Sequence, residues 1–272
     1  MASSDAVDLV VCGAAGRMGR LVIALAREEP GLRVVGAIEA PGHPALGQDA
    51  GVAAGGVALG LAIEDELAAC LQSAPVVVDF TGNPDATVQH AAVAAERHLP
   101  LVVGTTGFDA RQREELATLA TRTRSVVAAN FSIGITVLID LVGRAAQLLD
   151  PSFEAEIVEI HHHAKRDAPS GTALALGRAI AAARGLDFDE AARCSREGLV
   201  GARPRDEIGI VALRAGDAVG DHTVVFGGLG ERLELVHRAQ SRECLVRGAL
   251  RAARWVVGQP IGLYSMRDVL GL

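Results

Sequence analysis

Residues 159–173 read Glu-Ile-His-His-His-Ala-Lys-Arg-Asp-Ala-Pro-Ser-Gly-Thr-Ala and gather the chain's densest proton-transfer chemistry. His161, His162 and His163 precede Lys165, the only lysine among 26 lysine and arginine residues. A guanidinium stays charged, whereas the compact ammonium of lysine can be tuned to exchange a proton. Either His161 or His162 could serve beside it as a general acid, since histidine titrates near neutrality. Pro169-Ser170-Gly171 then opens an Ala- and Leu-rich helix from Thr172, whose free N–H groups and positive dipole end favour a carboxylate or phosphate. The pattern predicts an anion pocket with a titratable group inside it.

Two other chemistries compete for these residues. His161 and His163 share a face of extended chain and could hold a metal, yet no cysteine or acidic cluster nearby completes a site. Ser170 could pair with a histidine as a nucleophile, but Ala-Pro-Ser-Gly-Thr is not a Gly-x-Ser-x-Gly elbow. No metal is expected. His43, His90, His98, His222 and His237 read as surface or structural histidines.

The elements that must position this stretch begin at residues 7–12, an apolar run of the kind found in buried parallel strands. Gly13-Ala14-Ala15-Gly16-Arg17-Met18-Gly19 follows, with glycines at a G-x-x-G-x-x-G spacing. Gly13 would permit the tight turn, Gly16 the approach of a pyrophosphate and Gly19 close helix–strand packing. Residues 33–38 form a second strand ending at Glu39, an acid placed to accept hydrogen bonds from an adenosine ribose. Strand, glycines, helix, strand and acid in that order predict dinucleotide binding. Residues 76–80 and 101–103 are further buried strands, the second ending in Gly104-Thr105-Thr106-Gly107. Small residues at strand C-termini let an open α/β sheet receive a ligand.

Beyond residues 125–129, the last strand of this pattern, the organisation changes. An apolar helix is expected over 135–149, a strand over 153–160 delivering the histidines, and loops over 185–206. Segments 208–215, 222–227 and 231–239 follow closely without helices, which implies antiparallel pairing. A final amphipathic helix spans 241–257. The fold class is therefore α/β: a Rossmann-type doubly wound N-terminal domain plus an inserted α+β domain with a mixed or antiparallel sheet. The dinucleotide-binding domain would comprise residues 1–131 and 241–272, and the substrate-binding and oligomerisation domain 132–240.

Composition bounds the partners. A net charge of −7 argues against nucleic acid and anionic membrane. No run reaches the ~20 apolar residues of a membrane span. Cys12, Cys70, Cys194 and Cys244 are widely spaced and read as reduced, mostly buried thiols of a cytoplasmic protein. The N-terminus shows no basic segment followed by an apolar core.

The motif Glu159-x-His161-His162-x-x-Lys165-x-Asp167-x-Pro169-Ser170-Gly171-Thr172-Ala173 resembles the signature of the 4-hydroxy-tetrahydrodipicolinate (dihydrodipicolinate) reductase family. The resemblance extends through Asp79-Phe80-Thr81, Gly104–Phe108, Ala129–Ser132, Gly230–Glu234 and residues 262–270. It implies that Gly13, Ala14, Ala15, Gly16, Arg17, Met18, Glu39, Gly104, Thr105, Thr106, Ala128, Ala129, Asn130 and Phe131 hold NADH or NADPH. It further implies that His161 and Lys165 donate the proton, while His162, Gly171 and Thr172 bind a small cyclic imine dicarboxylate. The implied reaction passes hydride to that substrate in the diaminopimelate route to lysine, within a cytoplasmic homotetramer. Some members carry Arg after the acid, where it can meet the 2′-phosphate of NADP; here Ala40 stands there, so NADH is expected to serve at least as well as NADPH.

Overall fold

The computed structural model describes residues 6–272. In chain order the strands are β1 (Val7–Cys12), β2 (Leu32–Ile38), β3 (Ile63–Glu64), β4 (Val76–Asp79), β5 (Leu101–Val103), β6 (Arg124–Val127), β7 (Glu154–His161), β8 (Ala192–Arg193), β9 (Ile208–Arg214), β10 (Gly220–Gly228), β11 (Glu231–Ala239) and β12 (Gly262–Tyr264). The α-helices are α1 (Arg17–Glu28), α2 (Ala50–Ala53), α3 (Pro84–Glu96), α4 (Ala110–Ala120), α5 (Ile133–Leu148), α6 (Gly171–Arg184), α7 (Phe188–Ala191), α8 (Glu243–Val256) and α9 (Met266–Leu270). Two compact units result, one running to Ser132 and resuming over Glu243–Leu272, the other Ile133–Arg242.

The first unit is built on a parallel sheet of order β12-β6-β5-β4-β1-β2-β3. Its central strands are apolar on both faces because helices cover both, and Val76, Val77, Val78 and Asp79 of β4 are all buried. β1 lies between β2 and β4, so the strand order reverses there and the turns after β1 and β4 open beside each other. α3 starts where Asn83 caps the N–H groups of Asp85 and Ala86 and Pro84 takes the first turn. α4 starts at a capping box of Asp109 and Gln112. The returning chain supplies more than the expected helix: β12 adds a parallel strand to β6, and α8 buries Val246, Ala249, Leu250, Ala253 and Val256.

Residues 40–62, which carry no clear periodicity, are organised by one carboxylate. Asp49 accepts the N–H groups of Gly51, Val52, Leu59, Gly60 and Leu61, closing the segment on itself. Of the stretch 57–71, only β3 and a single 3-10 turn at Leu67–Cys70 are regular.

The second unit is a five-stranded mixed sheet, β11-β10-β7-β9-β8. β10 pairs antiparallel with β7 and β11, while β9 pairs parallel with β7 and β8. The short β9–β10 connection therefore does not make a hairpin, because β7 lies between them. Ile208 and Ile210 stand fully buried beside Ala155 and Ile157 in that arrangement. One face packs Leu138, Val142, Leu176 and Ile180 of α5 and α6 against Ile157, Ile210, Val224 and Phe226. The other face leaves Val211, Leu213 and Val236 exposed. Within the stretch expected to be loops, α7 and β8 appear, with Asp187 capping α7.

Candidate active site

β7 alternates, so Glu159 and His161 fall on the face turned toward α6, at the strand's C-terminal end. Glu159 is fully buried and His161 Nδ1 stands 2.5 Å from its Oε2. Arg214, opposite His161 in the β7–β9 register, grips both carboxylate oxygens, with Nη1–Oε2 at 2.9 Å and Nη2–Oε1 at 3.0 Å. The Ser170 N–H donates to Oε1 at 2.9 Å. Burial alone would raise the Glu159 carboxyl, but the bonds from Arg214, His161 and Ser170 hold it below its ordinary range. A buried carboxylate gripped by a bidentate arginine is a charged anchor for the imidazole it touches.

Sequence reasoning set His222 aside, and the structure places it here. It pairs with Glu159 across the β7–β10 ladder, its ring lies edge-on to His161 at 5.2 Å, and its Nε2 is 3.1 Å from Ser170 Oγ. Burial first, then the His161 charge, push its pKa down to about 4, so it is neutral at neutral pH. No local pattern marks His222; only the strand register brings it to Glu159.

Ser170 caps α6 by accepting the Ala173 N–H at 3.1 Å, leaving Gly171 and Thr172 in the first turn. Lys165 Nζ holds both oxygens of Asp167, at 2.9 and 2.8 Å, and this pairing lowers the Asp167 carboxyl. His162 is shifted down by burial and then by the nearby Arg242 guanidinium, which favours its neutral form. His163 departs from the group: its backbone N–H and Nδ1 both donate to the Gly216 carbonyl, tying down the β9–β10 turn.

In the first unit, Gly13 has φ +79°, and a Cβ there would lie 2.8 Å from Thr81 Cα. A Cβ on Gly19 would stand 2.1 Å from the Gly13 carbonyl oxygen, so α1 can approach its own turn only with glycine. The turn's amides are largely spent: Gly13 and Ala14 donate to Ile38 O, Gly16 to Gly13 O, and Ala15 to Glu39 Oε2. The first-turn N–H groups of Arg17 and Met18 have no intrahelical acceptor and remain for an anion. Glu39 thus joins the end of β2 to the glycine turn, its Oε1 accepting the Ala40 N–H, and each oxygen keeps a further lone pair for a ribose hydroxyl. These residues fit a dinucleotide.

Thr105, Thr106, Ala128 and Ala129 line a cavity of about 440 Å³ with Phe108 and Leu263. Ala14 and the Phe131 ring are buried, the latter edge-on to Phe80 at 5.8 Å, so their side chains face the core rather than a ligand. Gly104 is glycine for a local reason as well: a Cβ would meet the Phe80 ring at 2.0 Å. Asn130 Oδ1 accepts the Ser132 N–H at the end of this loop. Beneath lies buried Asp79, which accepts the hydroxyls of Thr81, Thr87 and Thr105 on Oδ1 and faces His90 Nδ1 at 2.7 Å on Oδ2. Among the described residues Cys12, Asp79 and His90 form the one group spaced for a metal, with ligand atoms within 4.8 Å. Burial raises the Cys12 thiol, and the Asp79 carboxylate holds three threonine hydroxyls and His90, so the group is a polar network joining β1, β4, α3 and the β5 loop.

A doubly wound sheet with a glycine turn and an acid beside its reversal point, continued in one chain by a unit carrying an anchored imidazole, defines a nicotinamide-dependent oxidoreductase. The chain belongs to the dihydrodipicolinate reductase family, whose N-terminal model matches residues 7–131 and whose C-terminal model matches residues 134–270. It is 50% identical over 266 residues to the 4-hydroxy-tetrahydrodipicolinate reductase of Anaeromyxobacter sp. (strain Fw109-5), covering 98% of each chain. It is 45% identical to that of Syntrophus aciditrophicus (strain SB), covering 96% of this chain and 97% of the relative. A dipicolinate-bound dihydrodipicolinate reductase from Paenisporosarcina sp. TG-14 shares the fold, with a TM-score of 0.75 at 22% identity over 97% and 98% of the two chains. No helix among the described residues is long and apolar enough to cross a membrane.

Proposed function

We propose that this chain reduces 4-hydroxy-tetrahydrodipicolinate, whose 4-hydroxyl leaves as water, to tetrahydrodipicolinate in the diaminopimelate route to lysine, using NADH or NADPH. The observation that carries the reading is the buried Glu159 holding His161 by Nδ1, four positions before the chain's only lysine and beside the first turn of α6. When bound, the reduced nicotinamide supplies the hydride. Hydride addition to an unsaturated cyclic imine leaves electron density that must be protonated, and His161 and Lys165 are the donors. His161 delivers from Nε2, because Nδ1 is committed to Glu159. His162 and the first-turn groups Gly171 and Thr172 orient the substrate carboxylates. Asp167 holds the Lys165 ammonium in place until a substrate carboxylate competes for it. Gly13–Met18, Glu39, Gly104–Thr106 and the loop from Ala128 to Phe131 hold the cofactor, Ala14 and Phe131 through backbone alone.

NADH serves at least as well as NADPH in this reading. Glu39 would repel a 2′-phosphate, and Ala40 offers no cation beside it. Exposed Arg17 at the start of α1 keeps NADPH usable. Comparing kcat/KM for the two cofactors checks this, and a strong NADPH preference refutes it. The reaction itself is tested by following NADH oxidation with aspartate semialdehyde, pyruvate and the upstream synthase; no turnover at ample protein rejects the assignment. The enzyme is further proposed to be a cytoplasmic homotetramer, the open face of the second sheet being its oligomerisation surface.

A further inference from the structure

The proposed reaction does not by itself explain why a histidine stands at position 222. That side chain is 3% exposed, and its Nδ1 is buried without a hydrogen-bond partner. Ser170 Oγ accepts the Ala173 N–H and shares a hydrogen bond with His222 Nε2 at 3.1 Å, in which either atom can donate. In either tautomer His222 Nδ1 is left buried without a partner, a standing penalty that a phenylalanine would avoid. What the histidine gains in return is membership of a closed circuit. His161 Nδ1 meets Glu159 Oε2, Glu159 Oε1 takes the Ser170 N–H, Ser170 Oγ meets His222 Nε2, and the His222 ring lies edge-on to His161 at 5.2 Å.

We propose that His222 is a positioning residue for the proton donor, fixing the His161 ring and the first turn of α6 relative to one another through Ser170 and Glu159. The inference rests on His161 being the donor. Four elements meet in this circuit: β7 through Glu159 and His161, β9 through Arg214, α6 through Ser170, and β10 through His222. A donor imidazole can wander with any one of them unless they are tied together. His222 can do this without competing for the proton, because burial keeps it neutral beside His161.

The test is a kinetic cycle on the full chain with His222→Phe, His222→Gln and His161→Gln, each checked by thermal melting and NADH titration. Phenylalanine keeps a ring but loses the hydrogen bond to Ser170; glutamine keeps a group at similar reach that can donate or accept. His222→Phe is expected to lower kcat about 10- to 100-fold, the scale of a misplaced catalytic group, with KM for NADH within about twofold. His222→Gln should recover most of that loss. In the His161→Gln background His222→Phe should cost no more than about twofold, because the two act as one unit. Wild-type kcat in His222→Phe, a loss undiminished on top of His161→Gln, or His222→Gln as impaired as His222→Phe each overturns the proposal. Full kcat in His161→Gln alone removes the donor assignment beneath it, and that result is read without reference to His222. Should His222→Phe fail to fold, Ser170→Ala breaks the same circuit. It is then expected to show the same non-additivity with His161→Gln, and additive losses overturn the proposal.

Discussion

Lys165 and His161 are held in different ways. His161 is anchored to a buried carboxylate, whereas Lys165 pairs with the exposed carboxylate of Asp167, which a ligand can displace. Replacing Lys165 with Ala should lower kcat by about 10²–10⁴-fold, the usual contribution of a positioned proton donor. Affinity for NADH should stay at the wild-type level, because the glycine turn and Glu39 belong to the other unit. Steady-state kinetics beside an NADH fluorescence titration checks this, and a variant that lost only cofactor affinity would misplace Lys165. At this scale the sequence was informative where chemistry and local spacing coincide: the residue 159–173 stretch, the glycine turn, Glu39. His222 and Arg214 were invisible to it, since their roles arise from lying opposite Glu159 and His161 in neighbouring strands.

Among the elements, the turn into α1 and the segment closed by Asp49 give the sharpest expectations. Gly19→Ala places a methyl group 2.1 Å from the Gly13 carbonyl oxygen, so α1 must shift away from its turn. Overpacking of this kind costs about 1–3 kcal/mol. Because the shift moves the Arg17 and Met18 amides, NADH affinity should fall more than kcat does; a wild-type Kd beside a lowered Tm would divorce the helix start from cofactor binding. Asp49 is depressed from 3.8 to about 2, chiefly by the N–H of Leu59 and then those of Val52, Gly60 and Leu61. A carboxyl with a lowered folded pKa stabilises fully above 3.8, and that contribution disappears as pH falls toward about 2. Asp49→Asn should lower Tm at neutral pH and narrow its difference from wild type on acidification through that window. A constant difference across the window would assign the carboxylate no charge-dependent role. The parallel strands and capped helices were legible because burial on two faces and N-cap chemistry leave local marks. Residues 40–62 were not, because one side chain rather than a periodicity organises them.

For the whole molecule, the open face of the second sheet carries the oligomer proposal. Val211, Leu213 and Val236 are exposed on it, and Val158 lies beside Val211 in the β7–β9 register. Exposed apolar rows across a sheet mark a surface for a partner, and a second copy of the chain is the proposed one. Val236→Glu should lower the solution mass measured by light scattering while leaving the thermal melt cooperative; a wild-type chain that is already monomeric refutes the tetramer. The amino-acid sequence by itself determined the class of fold, the order of its two halves, the glycine turn and the motif proposed to donate the proton. Each of these is written in neighbouring residues, through period, turn chemistry and spacing. Tertiary structure decided that β7 runs between β9 and β10, that Glu159 is the buried anchor of His161, and that His163 turns away while His222 comes in. Those outcomes depend on strand register, which pairs residues far apart in the chain, 63 positions in the case of Glu159 and His222. No local spacing encodes that separation, and burial of the sheet's inner face is what selects it.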